Sequence, residues 1–404
     1  QGFSRREALT LLAAVAASPV LLRGVSHAQS TGSTLVGDGV ANDLPALEKL
    51  LATAEARGEG TVKLPAGRFL LNPGSRTTAI TMPAKVRLEG AGRDLTTLVM
   101  APAAQGHVIN APYGLIQVAD LTIDGNAANR AGRTGHNLRF EGEQILIERV
   151  RVANSASYGI AVGQRRYAKN VTIRDVEIVN AGNDGLDVKN SLNQTANISI
   201  NNVVVRGFAQ PDPALPKARI GTRDDAMRGK AAVDLRGECE VRGLEIIGLA
   251  RGRSGLRFRQ GEAGGLNGPG AHGGKASNIT VRGDGEGSAI VIAARGVTLD
   301  GVNVRNTATM LHILADRASI RNGTLRGASL AAILARKLDP SKSSTLELQS
   351  VSFTRPKKLA LGELDSVRFV DCDFNDCEAA FGSDLLDNPR FTLTNCRFDR
   401  SCKT

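Results

Sequence analysis

The chain has 404 residues, 42% of them hydrophobic, with 45 glycines, no tryptophan and only 3% aromatic residues. An ordinary globule uses aromatic rings as large core fillers, so a chain of this length without them points to thin, repeated layers of Val, Ile, Leu, Ala and Asn. The formal charge of +11 favours a polyanionic partner; with no basic tail and no known nucleic-acid motif, nucleic acid is disfavoured and an acidic glycan preferred.

In chain order, the first signal is an address. Ser4, Arg5 and Arg6 make a twin-arginine start, Leu9 to Leu22 is largely apolar with a break at Pro19, and Ser26-His27-Ala28 places small residues where a signal peptidase reads. Residues 1–28 therefore read as a Tat-type export signal, and residues 29–404 as one periplasmic or secreted domain. No later segment is long and apolar enough to span a membrane. Next, Leu44, Leu47, Leu51 and Ala54 share one helical face, with Asn42 or Asp43 as cap, Pro45 in the first turn, and Gly58 and Gly60 as stop signals. Thr61 to Leu71 reads as two short strands around a turn. Residues 35–71 form a cap region, because the open end of a solenoid must be covered.

Beyond the cap, short strand-like units recur, many followed by Asn or Gly: Leu121–Asn126, Val150–Asn154, Val176–Asn180, Val203–Gly207, Leu244–Gly248 and Val302–Asn306. Val150 to Val176 is 26 residues, Val176 to Val203 is 27, and Phe374 to Phe398 is 24. A period in the twenties, with alternating strands inside it, predicts an all-β solenoid of about three strands per coil. Asn at strand ends fits corners that need left-handed backbone. Two Gly- and Pro-rich insertions, 208–230 and 259–277, interrupt the period.

The run Gly37–Asp43, the helix after it, and Gly60–Phe69 closely resemble the start of pectate-lyase-superfamily proteins, a group that includes polygalacturonase-like and rhamnogalacturonase-like enzymes and phage tailspikes. The resemblance implies a single-stranded right-handed parallel β-helix with an N-terminal capping helix. It leaves the reaction open. Tailspike relatives raise the alternatives of monomer and trimer, although no assembly segment stands out.

Inward apolar pairs align the coils: Leu138/Phe140, Ile160/Val162, Leu186/Val188, Val233/Leu235, Leu256/Phe258, Ile290/Ile292 and Leu311/Ile313. The residues between and after them face outward: Arg139/Glu141, Ala161/Gly163, Asp187/Lys189, Asp234/Arg236, Arg257/Arg259, Val291/Ala293 and His312/Leu314. Charge gathers in the middle coils and disappears from the later ones. A groove of this kind suits an anionic glycan, against the plainer reading of surface charge ladders.

Two chemistries fit. In a uronate lyase the sugar carboxylate is neutralised and a base removes the proton beside it. Lys189 is the easier base, Arg236 and Arg257 are carboxylate clamps, and Asp187 and Asp234, with Glu141, offer hard oxygen ligands for Ca²⁺. Arg139, Glu141, Arg259, His136 and Tyr158 complete the expected substrate contacts, with Tyr158 stacking on a sugar ring. In a hydrolase, two carboxylates share the work. Asn183–Asp187 is similar to a polygalacturonase motif, and that resemblance gives Asp184 the role of first catalytic carboxylate. Ser254–Arg259 is similar to the same family's substrate-binding strand, which maps Arg257 and Arg259 onto its basic residues. The following coil, Asn197–Ile200, lacks that family's Asp-Asp pair. Asp224-Asp225 falls in an insertion, and His272 follows the Arg strand rather than preceding it.

The leading expectation is an exported enzyme that cleaves a uronate-containing polysaccharide by β-elimination. A glycoside hydrolase and a non-catalytic glycan-binding protein are the alternatives. Cys372/Cys396 and Cys377/Cys402 should sit on neighbouring coils, either as disulfides or as buried thiols.

Overall fold

Alternation of small apolar and polar residues makes strands, and a left-handed residue after each strand makes a corner. In the computed structural model these two rules generate almost the whole chain. It describes residues 34–58, 60–130, 134–189, 195–209, 229–249, 252–259, 274–315, 317–335, 344–362, 364–377 and 390–402. Residues 1–28, Asp224, Asp225 and His272 lie outside them.

The protein is a right-handed parallel β-helix. Every pairing between coils is parallel, so each strand bonds to the strand one coil before and one coil after. One corner shows how the sequence encodes the turn. Asp175, Asn202, Gly243, Asn278, Gly301, Asn322, Ser350, Asp371 and Asn395 all have φ between 51° and 70°, and each lies directly above the last. Asn and Asp tolerate that conformation because their short side chains bond locally. Asn202 Nδ2 also donates to Asp175 Oδ1 one coil below, at 3.1 Å. Gly243 takes the next place because a Cβ there would lie 2.8 Å from Asn202 Oδ1.

The core is the interior of the coil, filled by the predicted apolar pairs. Leu138, Ile160, Leu186, Val233, Leu256 and Ile290 are each 0% exposed, and they stand in one register. The helix Leu44–Ala56 covers the N-terminal end with Leu44, Ala46, Leu47, Leu51 and Ala54. Its cap is divided. Asn42 Oδ1 accepts from the Leu44 amide, while the buried Asp43 carboxylate turns back to the amides of Val36 and Gly37. The two short strands that follow are Gly60–Lys63 and Gly67–Leu71.

At the other end Phe353, Phe374 and Phe398 stack coil upon coil, with centroids 5.2 and 4.7 Å apart. Cys372 and Cys396 are neighbours in register beside them. Of the two states considered for the cysteines, the structure has the reduced one: all five are free thiols. The second insertion is shorter than expected, because a strand restarts at Lys275 and runs to Arg282. No described helix is long and apolar enough to cross a membrane.

Candidate active site

The outward row stands as the sequence predicts. Arg139, Ala161, Asp187, Asp234, Arg257, Val291 and His312 occupy successive coils in one register. Their surroundings differ from an open groove. Asp187 and Asp234 are 0% exposed, and Arg236 and Arg257 are 1% exposed. His312, expected to face outward at the end of this row, is buried too.

The reason is a closed ion cage. Asp234 receives Arg257 through Nε at 3.0 Å and Nη2 at 3.0 Å. Arg236 Nη2 adds a bond at 3.1 Å, and Arg259 binds both carboxylate oxygens. Asp187 accepts from Arg236 Nη1 at 3.0 Å and from Gln164 Nε2 at 3.0 Å, with Lys189 Nζ at 3.5 Å. Arg257 Nη1 also donates to the Gly229 carbonyl. Burial pushes the Asp234 carboxyl up, but Arg257 and Arg236 outweigh it and hold the group below its ordinary value.

This arrangement corrects two expectations. Arg236 and Arg257 are not available as clamps for a substrate carboxylate, because their donors are spent on Asp187 and Asp234. The Ca²⁺ reading meets the same obstacle. Carboxylate oxygens of Asp184, Asp187 and Asp234 lie within 4.8 Å of one another, which is a plausible donor set in kind. Two of the three already carry guanidinium partners, so a cation would have to displace an arginine; the residues present do not fit a resident metal.

Asp184 behaves differently. It sits in the turn before the row and is 5% exposed. Its Oδ1 accepts from the Ala231 amide at 2.8 Å, and no ion pair engages it among the described residues. Burial, then the nearby Asp187 and Asp234, push its pKa up to about 7. The carboxyl therefore exchanges protons near neutrality, as a general acid or base requires. Asp187 is also raised, by burial first, against the pull of Arg236.

Beside Asp184 runs a ladder of rings. His107, His136 and Tyr158 stand on consecutive coils, with centroids 4.7 Å apart at each step. The rings lean on one another, so one Tyr158 face is covered by His136, and Lys189 Nζ lies 6.0 Å over the ring. A sugar stacking on Tyr158 would therefore have to use the ring face that His136 does not cover. Burial, then Asp187 and Asp184, raise the Tyr158 pKa, so it stays a phenol. Burial and neighbouring cations lower His107 to about 4 and His136 to about 3, so both imidazoles are neutral at pH 7.

At the N-terminal end, Arg139 Nη2 donates to Glu141 Oε1 at 2.5 Å, and the same oxygen accepts from the Arg165 amide at 3.1 Å. Glu141 is thus a buried counter-ion for Arg139. Lys189 and Arg259 retain 17% and 18% side-chain exposure, more than any other cation of the cage.

Sequence reasoning missed His107, Gln164 and Arg165. His107 was within reach: it lies 29 residues before His136, one coil earlier, as the bond from the His136 amide to its Nδ1 confirms. Gln164 and Arg165 sit in the bend after Ile160–Val162, where no alternation guides the eye.

No family model matches the chain. Mannuronan C5-epimerase AlgE2 of Azotobacter vinelandii is 30% identical over 166 residues, covering 37% of this chain and 16% of that protein. Alginate lyase 7 of the same organism is 29% identical over 169 residues, covering 37% and 19%. The chain spans less than a fifth of the length of either relative. Among solved structures, the A-module of A. vinelandii mannuronan C-5 epimerase AlgE6 aligns over 90% of this chain and 97% of that one, with a TM-score of 0.63 at 16% identity. That likeness concerns the fold.

Proposed function

We propose that this protein is a polysaccharide-modifying enzyme that acts on a uronate-containing glycan of the alginate type by removing the proton beside the sugar carboxylate. The observation that carries the reading is Asp184: one carboxyl, poised near neutral pH and free of any ion pair among the described residues, in a site whose other acids are locked to arginines. The relatives named above act, by their names, on mannuronan and alginate.

In the β-elimination outcome, Asp184 accepts the C5 proton and the C–H electrons form the C4=C5 double bond. The C4–O bond breaks, and the departing oxygen takes a proton. Tyr158 is the protonated neighbour in register with Asp184 and suits that donation. Lys189 and Arg259 are the partly exposed cations of the cage and suit the substrate's negative charge. The same first step supports a second reading, favoured by the similarity to the epimerases. There, a proton returns to C5 from the opposite face and the chain stays whole. A two-carboxylate hydrolase is less well served, because Asp187 and Asp234 are fully buried in ion pairs. The twin-arginine start and small-residue cleavage site support export through the Tat route.

The test is incubation with polymannuronate, mixed alginate and pectate in deuterated water. Ultraviolet absorbance reports unsaturated ends, and NMR reports deuterium at C5. Unsaturation establishes the lyase. Deuterium at C5 of an intact polymer establishes the epimerase. New reducing ends with neither signal, or binding without change, overturn the proposal in favour of hydrolase or binding protein.

A further inference from the structure

Arg236 and Arg257 are closed inside the cage, and Lys189 and Arg259, its partly exposed cations, also pair with its acids. The register identifies a candidate outside the predicted set. Ala231, whose amide holds Asp184, pairs with Ser254 one coil on. The residue before Ser254 is Arg253, whose carbonyl accepts the Ser288 amide and fixes the backbone there. Arg253 therefore lies two coils on from the Asp184 turn, level with Lys230 on the coil between them, and on the side away from Tyr158.

Its state contrasts with its neighbours. Arg236, Arg257 and Arg259 each bind Asp234, whereas the Arg253 side chain has no hydrogen bond or ion pair among the described residues. It is half-buried. Burial lowers its pKa, and the Asp184 carboxyl is the charge that opposes this. A partly desolvated guanidinium with unspent donors gains most from a charge-assisted bond to an incoming anion. Asp184 is a poor permanent partner, since it is part protonated near pH 7 and gives one oxygen to Ala231.

We infer that Arg253 binds the carboxylate of the uronate whose C5 proton Asp184 removes, and so selects a charged sugar at the reacting position. This rests on the function proposed above. Pairing that carboxylate withdraws electron density from C5 and makes its proton more acidic, so the residue serves both binding and the chemical step.

The experiment compares a mannuronate oligosaccharide with the same oligosaccharide after reduction of its carboxyl groups to alcohols. Both are titrated into the wild type, Arg253→Ala and Arg253→Lys by calorimetry, with thermal unfolding as a control. The wild type is expected to prefer the charged ligand. Arg253→Ala should lose roughly tenfold to a hundredfold in affinity for it, with little change for the reduced ligand. Arg253→Lys should recover part of the difference, and all three proteins should unfold at similar temperatures. If the wild type prefers the charged ligand and Arg253→Ala binds it equally well, Arg253 is overturned and the uronate reading stands. If the wild type does not distinguish the two ligands, both fall.

Discussion

The row that carries Asp187, Asp234 and Arg257 runs on in unbroken register into Val291, His312 and Leu334. The backbone is the same, and all six residues are nearly buried. In the first stretch burial encloses acids and guanidiniums that satisfy one another. In the second, Val291, Ala293 and Leu314 form a small apolar cluster separate from the core inside the coils. Buried charge is costly unless paired and hydrogen-bonded, while an apolar patch performs the same covering role without that risk. Along the described part of this row, the costly version lies beside Asp184 and the ring ladder. Two adjoining stretches of one solenoid thus separate what the fold needs from what the site needs.

The sharpest way to break this contrast is Asp234→Ala. It leaves Arg236, Arg257 and Arg259 without their shared counter-ion, two of them fully buried. The expected loss is about 3–5 kcal/mol of unfolding free energy, together with loss of activity. A urea titration showing less than about 1 kcal/mol would mean that the cage is a solvated ladder, whose pairs are worth that little. The matching change in the apolar stretch is Leu314→Ala, at a residue 2% exposed. It should cost about 2–3 kcal/mol through the cavity it leaves, with turnover per folded molecule unchanged. A fall in turnover from Leu314→Ala would show that the site extends further along the helix than the charges do.

The fold was legible because its two signals are local and repeated. Alternation within each strand fixes which side chains face in, and Asn, Asp or Gly after it fixes the corner. Even the order of the outward row follows from matching Leu138, Ile160, Leu186, Val233 and Leu256. What that row does was less legible. Asp187 and Arg236 lie 49 residues apart and meet because they stand on adjacent coils, on either side of an insertion. From the sequence, Arg257 and Arg253 are both arginines near one strand; nothing local says that one is spent on Asp234 and the other is not. The exposure of the row was misjudged for a related reason: alternation reports the direction of a side chain, not whether something covers it.

The most specific prediction concerns the group that separates the two stretches chemically. Asp184 has a folded pKa of about 7, above the ordinary carboxylate value of 3.8. Its contribution to stability is therefore complete below pH 3.8 and is lost as pH rises from there to about 7, because the unfolded chain releases this proton earlier than the folded one. Asp184→Asn keeps an oxygen for the Ala231 amide and removes the ionisation. The variant should be inactive, yet at pH 8 it should resist urea better than the wild type, and the advantage should shrink toward pH 4. An advantage that stays constant with pH would come from packing alone. A destabilised variant at pH 8 would mean that the ionised carboxylate is the favoured folded form, bound to a cation that the cage was thought to exclude.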